Sequence, residues 1–174
     1  MKLAVLSDSH KKPDLTKNAI DMLKLKGATY IIHAGDLEII ENLELLKNSG
    51  LIYTSVFGNN DYNLIKYQKE FNINKEPYYF KIKDINFKLM HIPIYLTPDT
   101  DIIISGHTHQ FEHNYKNNTL YLNPGEICAR NKNKTECVLL TIKNEKYIID
   151  FYSKKPNDTN WKLETIEYNK DKKS

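Results

Sequence analysis

Residues 2–10 read Lys2-Leu3-Ala4-Val5-Leu6-Ser7-Asp8-Ser9-His10. A short apolar run that ends abruptly in polar residues is the pattern of a buried strand feeding a turn. Pro13 follows and suits the first turn of a helix. Leu15, Ala19, Met22 and Leu23 then recur at helical spacing until Gly27 stops them. The unit repeats twice more. A strand over residues 30–32 ends at His33-Ala34-Gly35-Asp36. A helix marked by Ile39, Ile40, Leu43 and Leu46 stops at Gly50. A third strand over 51–57 ends at Gly58-Asn59-Asn60-Asp61. Strands alternating with helices predict parallel pairing through right-handed crossovers.

The second half changes character. Phe80 and Ile82, then Phe87 and Leu89, alternate around Lys83-Asp84 and predict a hairpin. Residues 101–105 read as a buried strand before Gly106-His107-Thr108-His109. Residues 119–122 run into the turn Asn123-Pro124-Gly125. A second hairpin is expected from 137–142 and 146–151 around Asn144, and Trp161, Leu163 and Ile166 mark a last edge segment. The layout predicts an α/β fold of two packed sheets with helices outside. It forms one domain over residues 1–168, followed by a charged tail over 169–174.

Composition narrows the function. The 25 basic and 22 acidic residues leave a net charge of +3, too little to argue for a nucleic acid or a membrane surface. No basic stripe runs along the chain. Two cysteines, Cys128 and Cys137, exclude a disulfide scaffold and fit a reducing compartment. No apolar run approaches the length of a membrane span or of the roughly 7–15-residue core of an export signal, so a cytoplasmic location is expected.

The chemistry-bearing residues share one position, the polar turn beyond a strand. Asp8 and His10 follow the first strand, Asp36 the second and Asn59 the third. His91 follows the hairpin strand, and His107 and His109 the strand at 101–105. In α/β sheets such turns converge on a crevice at the carboxyl ends of the strands. Two Asp, one Asn and four His offer oxygen and nitrogen donors without a thiolate. That set suits Mn²⁺, Fe²⁺, Co²⁺, Ni²⁺ or Zn²⁺. Seven donors exceed one tetrahedral ion and match two ions that share a carboxylate. Two such ions, roughly 3.5–4 Å apart, can assist an in-line displacement at phosphorus.

Taken together, Asp8-Ser9-His10, Gly35-Asp36, Gly58-Asn59-Asn60-Asp61, His91 and Gly106-His107-Thr108-His109 resemble the calcineurin-like metallophosphoesterase superfamily. The compact length, the opening residues and Leu122-Asn123-Pro124-Gly125 resemble its small YfcE-like phosphodiesterases. The resemblance implies a four-layer α/β/β/α sandwich of two mixed sheets with a dinuclear site, Mn²⁺ being the first choice of metal. Asp8, His10 and His109 would bind one ion, Asn59, His91 and His107 the other, and Asp36 would bridge. A bridging hydroxide would attack phosphorus in line, with Asn59 helping to stabilise the phosphoryl oxygens. His10, Asp36, Asn59 and Asp61 are the residues expected to act in catalysis, Asp61 by orienting a ligand histidine. Many superfamily members carry a histidine where this chain has Asn60. Asparagine cannot serve as a general acid at neutral pH, so substrates with good leaving groups are favoured; YfcE-like members commonly share the departure, so it is not read as loss of activity. Histidine at position 60 would then be expected to raise turnover of poor leaving groups.

Other readings of the same fold are a phosphomonoesterase, a nucleotide pyrophosphatase, or a protein-interaction scaffold like the small retromer subunit, whose metal site is degraded. The complete ligand set argues against the scaffold. The expected partner is a small phosphoester, and a homodimer is the default oligomer. His33 reads as a packed, hydrogen-bonded histidine and His113 as solvent-exposed. Cys128 reads as a small loop cysteine that could approach the site. Arg130, the only arginine, either meets a substrate phosphate or lies on the surface. Glu126 receives no role, as a turn cap or a solvent-facing side chain. The 12 tyrosines are scattered rather than grouped with basic residues, and read as half-buried strand positions.

Overall fold

The computed structural model describes residues 1–171. In chain order its elements are β1 (Lys2–Leu6), α1 (Pro13–Leu25), β2 (Tyr30–His33), α2 (Ile40–Asn48), β3 (Ile52–Val56), a 3-10 helix (Tyr62–Tyr67), β4 (Ile73–Asn74), β5 (Tyr78–Ile82), β6 (Ile85–Leu89), β7 (Ile102–Ile104), β8 (Phe111–Lys116), β9 (Thr119–Pro124), β10 (Thr135–Ile142), β11 (Lys146–Lys154) and β12 (Lys162–Asn169). They form two mixed sheets, one ordered β12-β11-β10-β1-β2-β3-β4 and the other β5-β6-β7-β9-β8.

β1 is central and buried on both faces. Leu3 and Val5 point into the layer between the sheets, and Ala4 and Leu6 point toward the helices. That is why its sequence is a continuous apolar run rather than an alternation. It pairs parallel with β2 and antiparallel with β10. α1 begins at Pro13 and buries Thr16, Ala19, Ile20 and Leu23 against the larger sheet, and α2 adds Leu43 and Leu46. Full burial of each such Leu or Ile is worth about 1.5–3 kcal/mol. The inter-sheet layer adds Ile32, Val56, Phe87, Leu89, Ile102, Ile104, Leu120, Leu122, Val138 and Leu140.

Both helices and the 3-10 helix cover the outer face of the larger sheet. Among the described residues the fourth layer, over the smaller sheet, is coil. Residues 92–101 close over Lys88, whose side chain faces away from Phe87 and Leu89. Its ammonium donates to the carbonyls of Tyr95 (3.1 Å) and Thr97 (2.8 Å) and pairs with Asp99. Lys88 is consequently fully buried, although strand alternation alone would place it in water.

Three further details differ from the sequence reading. β8 pairs antiparallel with β9, adding a strand that the sequence reading does not include. His113, expected in solvent, is half-buried on β8 with Nδ1 2.7 Å from the Tyr168 hydroxyl. The tail begins later than residue 169: Asn169 still pairs with Lys146, and the Lys170 amide donates to the Glu145 carbonyl. Residues 172–174 of that predicted tail lie outside the described residues. Both cysteines are buried and free, and no described helix is long and apolar enough to cross a membrane.

Candidate metal centre

Parallel β1, β2 and β3 in one sheet and parallel β6 and β7 in the other deliver their following turns to a shared edge. Backbone bonds knit those turns together. The Asp8 amide donates to Gly35 O (3.0 Å), His10 N to Asp36 O (2.8 Å), Gly106 N to His91 O (3.0 Å) and Cys128 N to Asp8 O (3.0 Å). From α2, the Asn42 amide reaches back to the carbonyls of His10 (2.5 Å) and Leu37 (2.7 Å). The turns are tight enough that Asp8, His10, Asp36, His107 and His109 all take left-handed backbone, with φ between 45° and 69°. Side chains other than glycine rarely adopt that region, and strain of this kind gathers at functional sites.

All seven expected donors come together. Asp8, His10, Asp36, His91 and His109 are buried, while Asn59 and His107 are exposed and form the open rim. On one side Asp8 Oδ1 lies 3.2 Å from His109 Nε2, and His10 Nε2 lies 3.4 Å from the same nitrogen. On the other, His91 Nε2 is 3.0 Å from Asn59 Oδ1 and 3.3 Å from His107 Nδ1. Asp36 Oδ2 stands between the groups, 3.7 Å from His10 Nε2 and 3.4 Å from His91 Nε2.

Hydrogen bonds on the far side of two rings decide what these atoms are. His91 Nδ1 sits 2.8 Å from the Ala34 carbonyl, and His109 Nδ1 contacts the Glu126 carboxylate. Both partners only accept, so each Nδ1 carries a proton, and a ring in its neutral form presents a bare lone pair at Nε2. Those lone pairs face Asp8 Oδ1, Asp36 Oδ2 and Asn59 Oδ1, which are also acceptors. Asp8 Oδ1 is buried and has no hydrogen-bond donor. Acceptors converging on acceptors require a cation or protons between them. The electrostatics agree. Burial opposes charge on His91, but the hydrogen bond and charge of Asp36 outweigh it and push the imidazole up. Burial likewise opposes charge on Asp36, but His91 and two bonds from Asn60 hold its carboxyl below the usual range. Burial dominates at Asp8 and pushes its carboxyl up. The residues thus fit divalent metal ions, and Asp8, Asp36 and His91 form one cluster with metal-ligand spacing. His10, His109 and Cys128 form another. Burial there pushes the Cys128 thiol up to about 12, and its Sγ lies 3.4 Å from Glu126 Oε2.

The surrounding residues correct several readings. Asp61 does not touch a ligand histidine. Its carboxylate accepts the backbone N–H groups of Glu38 (2.6 Å) and Gly58 (2.8 Å), tying the second turn to the third. Asn60 donates its backbone N–H to Asp36 Oδ1 (2.9 Å) and its side-chain amide to Oδ2 (2.7 Å). Glu126 is not exposed: it caps the turn that follows through the Asn131 and Lys132 amides and lies fully buried behind His109. Glu76, unremarked in the sequence, accepts the backbone N–H groups of His91 and Ile92 and sets where the β6 turn enters the site. Arg130 reaches the site, with Nη2 3.2 Å from His109 Nε2.

His33 packs as expected, fully buried with Nε2 2.8 Å from Ser9 Oγ. Burial pushes its imidazole down to about 3. An unfolded chain takes up this proton near pH 6.5, well before the folded one. Stability from this group is therefore intact above pH 6.5 and is lost as pH falls toward 3, by up to about 1.4 kcal/mol per pH unit. Urea midpoints measured from pH 7 to pH 4 should fall more steeply for the wild type than for His33→Asn. Equal slopes would remove His33 as a source of acid sensitivity.

Comparison with known proteins points the same way. The family model for the calcineurin-like phosphoesterase superfamily domain matches residues 1–145. Phosphodiesterase MJ0936 of Methanocaldococcus jannaschii is 29% identical over 145 residues, covering 74% of this chain and 86% of that protein. Among solved structures, Vps29 of Entamoeba histolytica complexed with zinc superposes with a TM-score of 0.71 at 20% identity, over 96% of this chain and 99% of that one. YfcE, a phosphoesterase from E. coli, gives 0.71 at 18% identity, over 95% and 98%. At these identities the two structural likenesses speak to the fold.

Proposed function

Because the chain belongs to the calcineurin-like phosphoesterase superfamily, we propose that the converging turns form a dinuclear metal centre that hydrolyses phosphodiesters. The observation that carries this is the meeting of imidazole nitrogens with carboxylate and amide oxygens on two sides of Asp36. Asp8, His10 and His109 would hold one ion and Asn59, His91 and His107 the other, with Asp36 shared. Divalent ions held there would supply Lewis acidity toward phosphoryl oxygens and would lower the pKa of a bound water.

The protein's part is placement. Ala34 and Glu126 orient the His91 and His109 rings, and Asn60 holds both oxygens of Asp36. The open rim at Asn59 and His107 is where the phosphoester would enter, and the Asn59 amide could donate a hydrogen bond to it. With Asn60 engaged on Asp36, the leaving group receives no proton from that position, which favours good leaving groups. The similarity to a named phosphodiesterase supports a diester as substrate.

The test is hydrolysis of bis-p-nitrophenyl phosphate beside the monoester, with Mn²⁺ and then Ni²⁺, Co²⁺, Fe²⁺ and Zn²⁺. Diester turnover that stops on chelation supports the proposal. A preference for the monoester would keep the metal centre and move the substrate class. Folded protein inactive with every metal would favour an interaction role like that of the Vps29 fold.

A further inference from the structure

Glu126 is a fully buried carboxylate in the loop between β9 and β10. Its placement is enforced locally. Gly125 turns the chain with φ +81°, and a Cβ there would come within 2.1 Å of Glu136 Oε2. Oε1 accepts the backbone N–H groups of Asn131 (2.7 Å) and Lys132 (3.0 Å). Oε2 accepts His109 Nδ1–H and, at 3.4 Å, the Cys128 thiol. These donors outweigh the burial of the group and hold it ionised.

We infer that Glu126 is the positioning residue that locks His109 in its Nδ1–H tautomer, so that Nε2 faces the centre as a metal ligand. The inference rests on the metal-centre reading above. It is carried by the asymmetry of the carboxylate, since one oxygen is committed to two amides and the other to the imidazole. Arg130 adds independent support. Its guanidinium has only N–H groups to offer, and its approach to 3.2 Å makes Nε2 the acceptor. A carboxylate behind a ligand histidine also makes the ring a better donor than the backbone carbonyl behind His91 does.

Glu126→Gln tests this without changing shape. The two backbone N–H groups keep the amide oxygen at the Oε1 position, so the NH₂ turns toward His109 Nδ1. That nitrogen must then accept, and the proton moves to Nε2, where it blocks the ligand lone pair. In metal-free protein, ¹⁵N NMR of the neutral ring should show Nδ1–H in the wild type and Nε2–H in the variant. Calorimetric titration with Mn²⁺ should show one site weakened by about 10–100-fold and the other little changed. A wild-type ring protonated on Nε2 overturns the inference whether or not the variant folds. An unchanged tautomer and unchanged affinity in folded Glu126→Gln also overturn it. A wild type that binds no divalent ion would defeat the metal-centre reading instead, with the tautomer comparison still deciding the role of Glu126.

Discussion

Replacing Asp36 by asparagine is expected to lower metal-dependent diester hydrolysis by about a thousandfold or more, equivalent to about 4 kcal/mol of transition-state stabilisation. Both carboxylate oxygens are occupied by Asn60 donors, at 2.9 and 2.7 Å. Asparagine keeps one acceptor and must aim an NH₂ at the other donor. If its oxygen stays with the Asn60 backbone N–H, the NH₂ takes the Oδ2 position, where His10 Nε2 and His91 Nε2 both converge. The shared anion between the two ligand groups is then replaced by a donor that repels cations. The comparison is kcat/KM on bis-p-nitrophenyl phosphate with Mn²⁺, with the urea midpoint showing that the fold is kept. Activity within tenfold of the wild type would remove Asp36 from the bridging position.

The second large effect concerns stability. Gly58→Ala should destabilise the protein by about 3 kcal/mol, the upper part of the usual range for overpacking. A Cβ at Gly58 would stand 2.2 Å from Asp36 Oδ1 and 2.4 Å from the Asp36 backbone nitrogen. The nitrogen belongs to the backbone of a turn that is bonded on all sides, so it cannot step aside as a flexible side chain would. The third turn must move, carrying Asn59 with it, and divalent-ion affinity should fall in parallel. Gly50→Ala is the control. Its φ is +77°, but nothing lies within 4 Å of a Cβ there, so only backbone strain of about 1 kcal/mol is at stake. Urea unfolding that shows Gly58→Ala no worse than Gly50→Ala would mean that the two turns are not tightly packed.

The parts of this protein that were readable in advance are those whose physics is local. Leu3 to Leu6, buried on both faces, could only be a central strand, and Pro13 and Gly27 bracket α1 with their backbone preferences. The seven donors were readable because each sits at a strand end, where topology rather than distance along the chain brings them together. What escaped depends on partners far along the chain. Lys88 lies between Phe87 and Leu89, and only the return of residues 95–99 explains its burial. Glu126 is intelligible only once His109 on one side and two later amides on the other are placed. Asp61 had the right chemistry to orient a histidine, but its oxygens meet backbone amides. β8 is a different case. Phe111, His113 and Tyr115 do alternate with polar residues, and the period was hidden by the weight of charged and amide neighbours.

The pairing of β1 with β10 has a consequence for how the chain reaches this state. β1 is made before every other described strand and is central, yet one of its neighbours, Val138 to Thr141, emerges only after more than a hundred further residues. Until then β1, β2 and β3 can assemble with their helices, but the β1 edge stays open, lined with unpaired amides and carbonyls beside Leu3 and Val5. Such an edge can recruit a strand from another chain. Nascent chains stalled before residue 135 therefore carry this edge uncovered. The finished fold hides it between β2 and β10, strands that more than half of the chain separates in sequence.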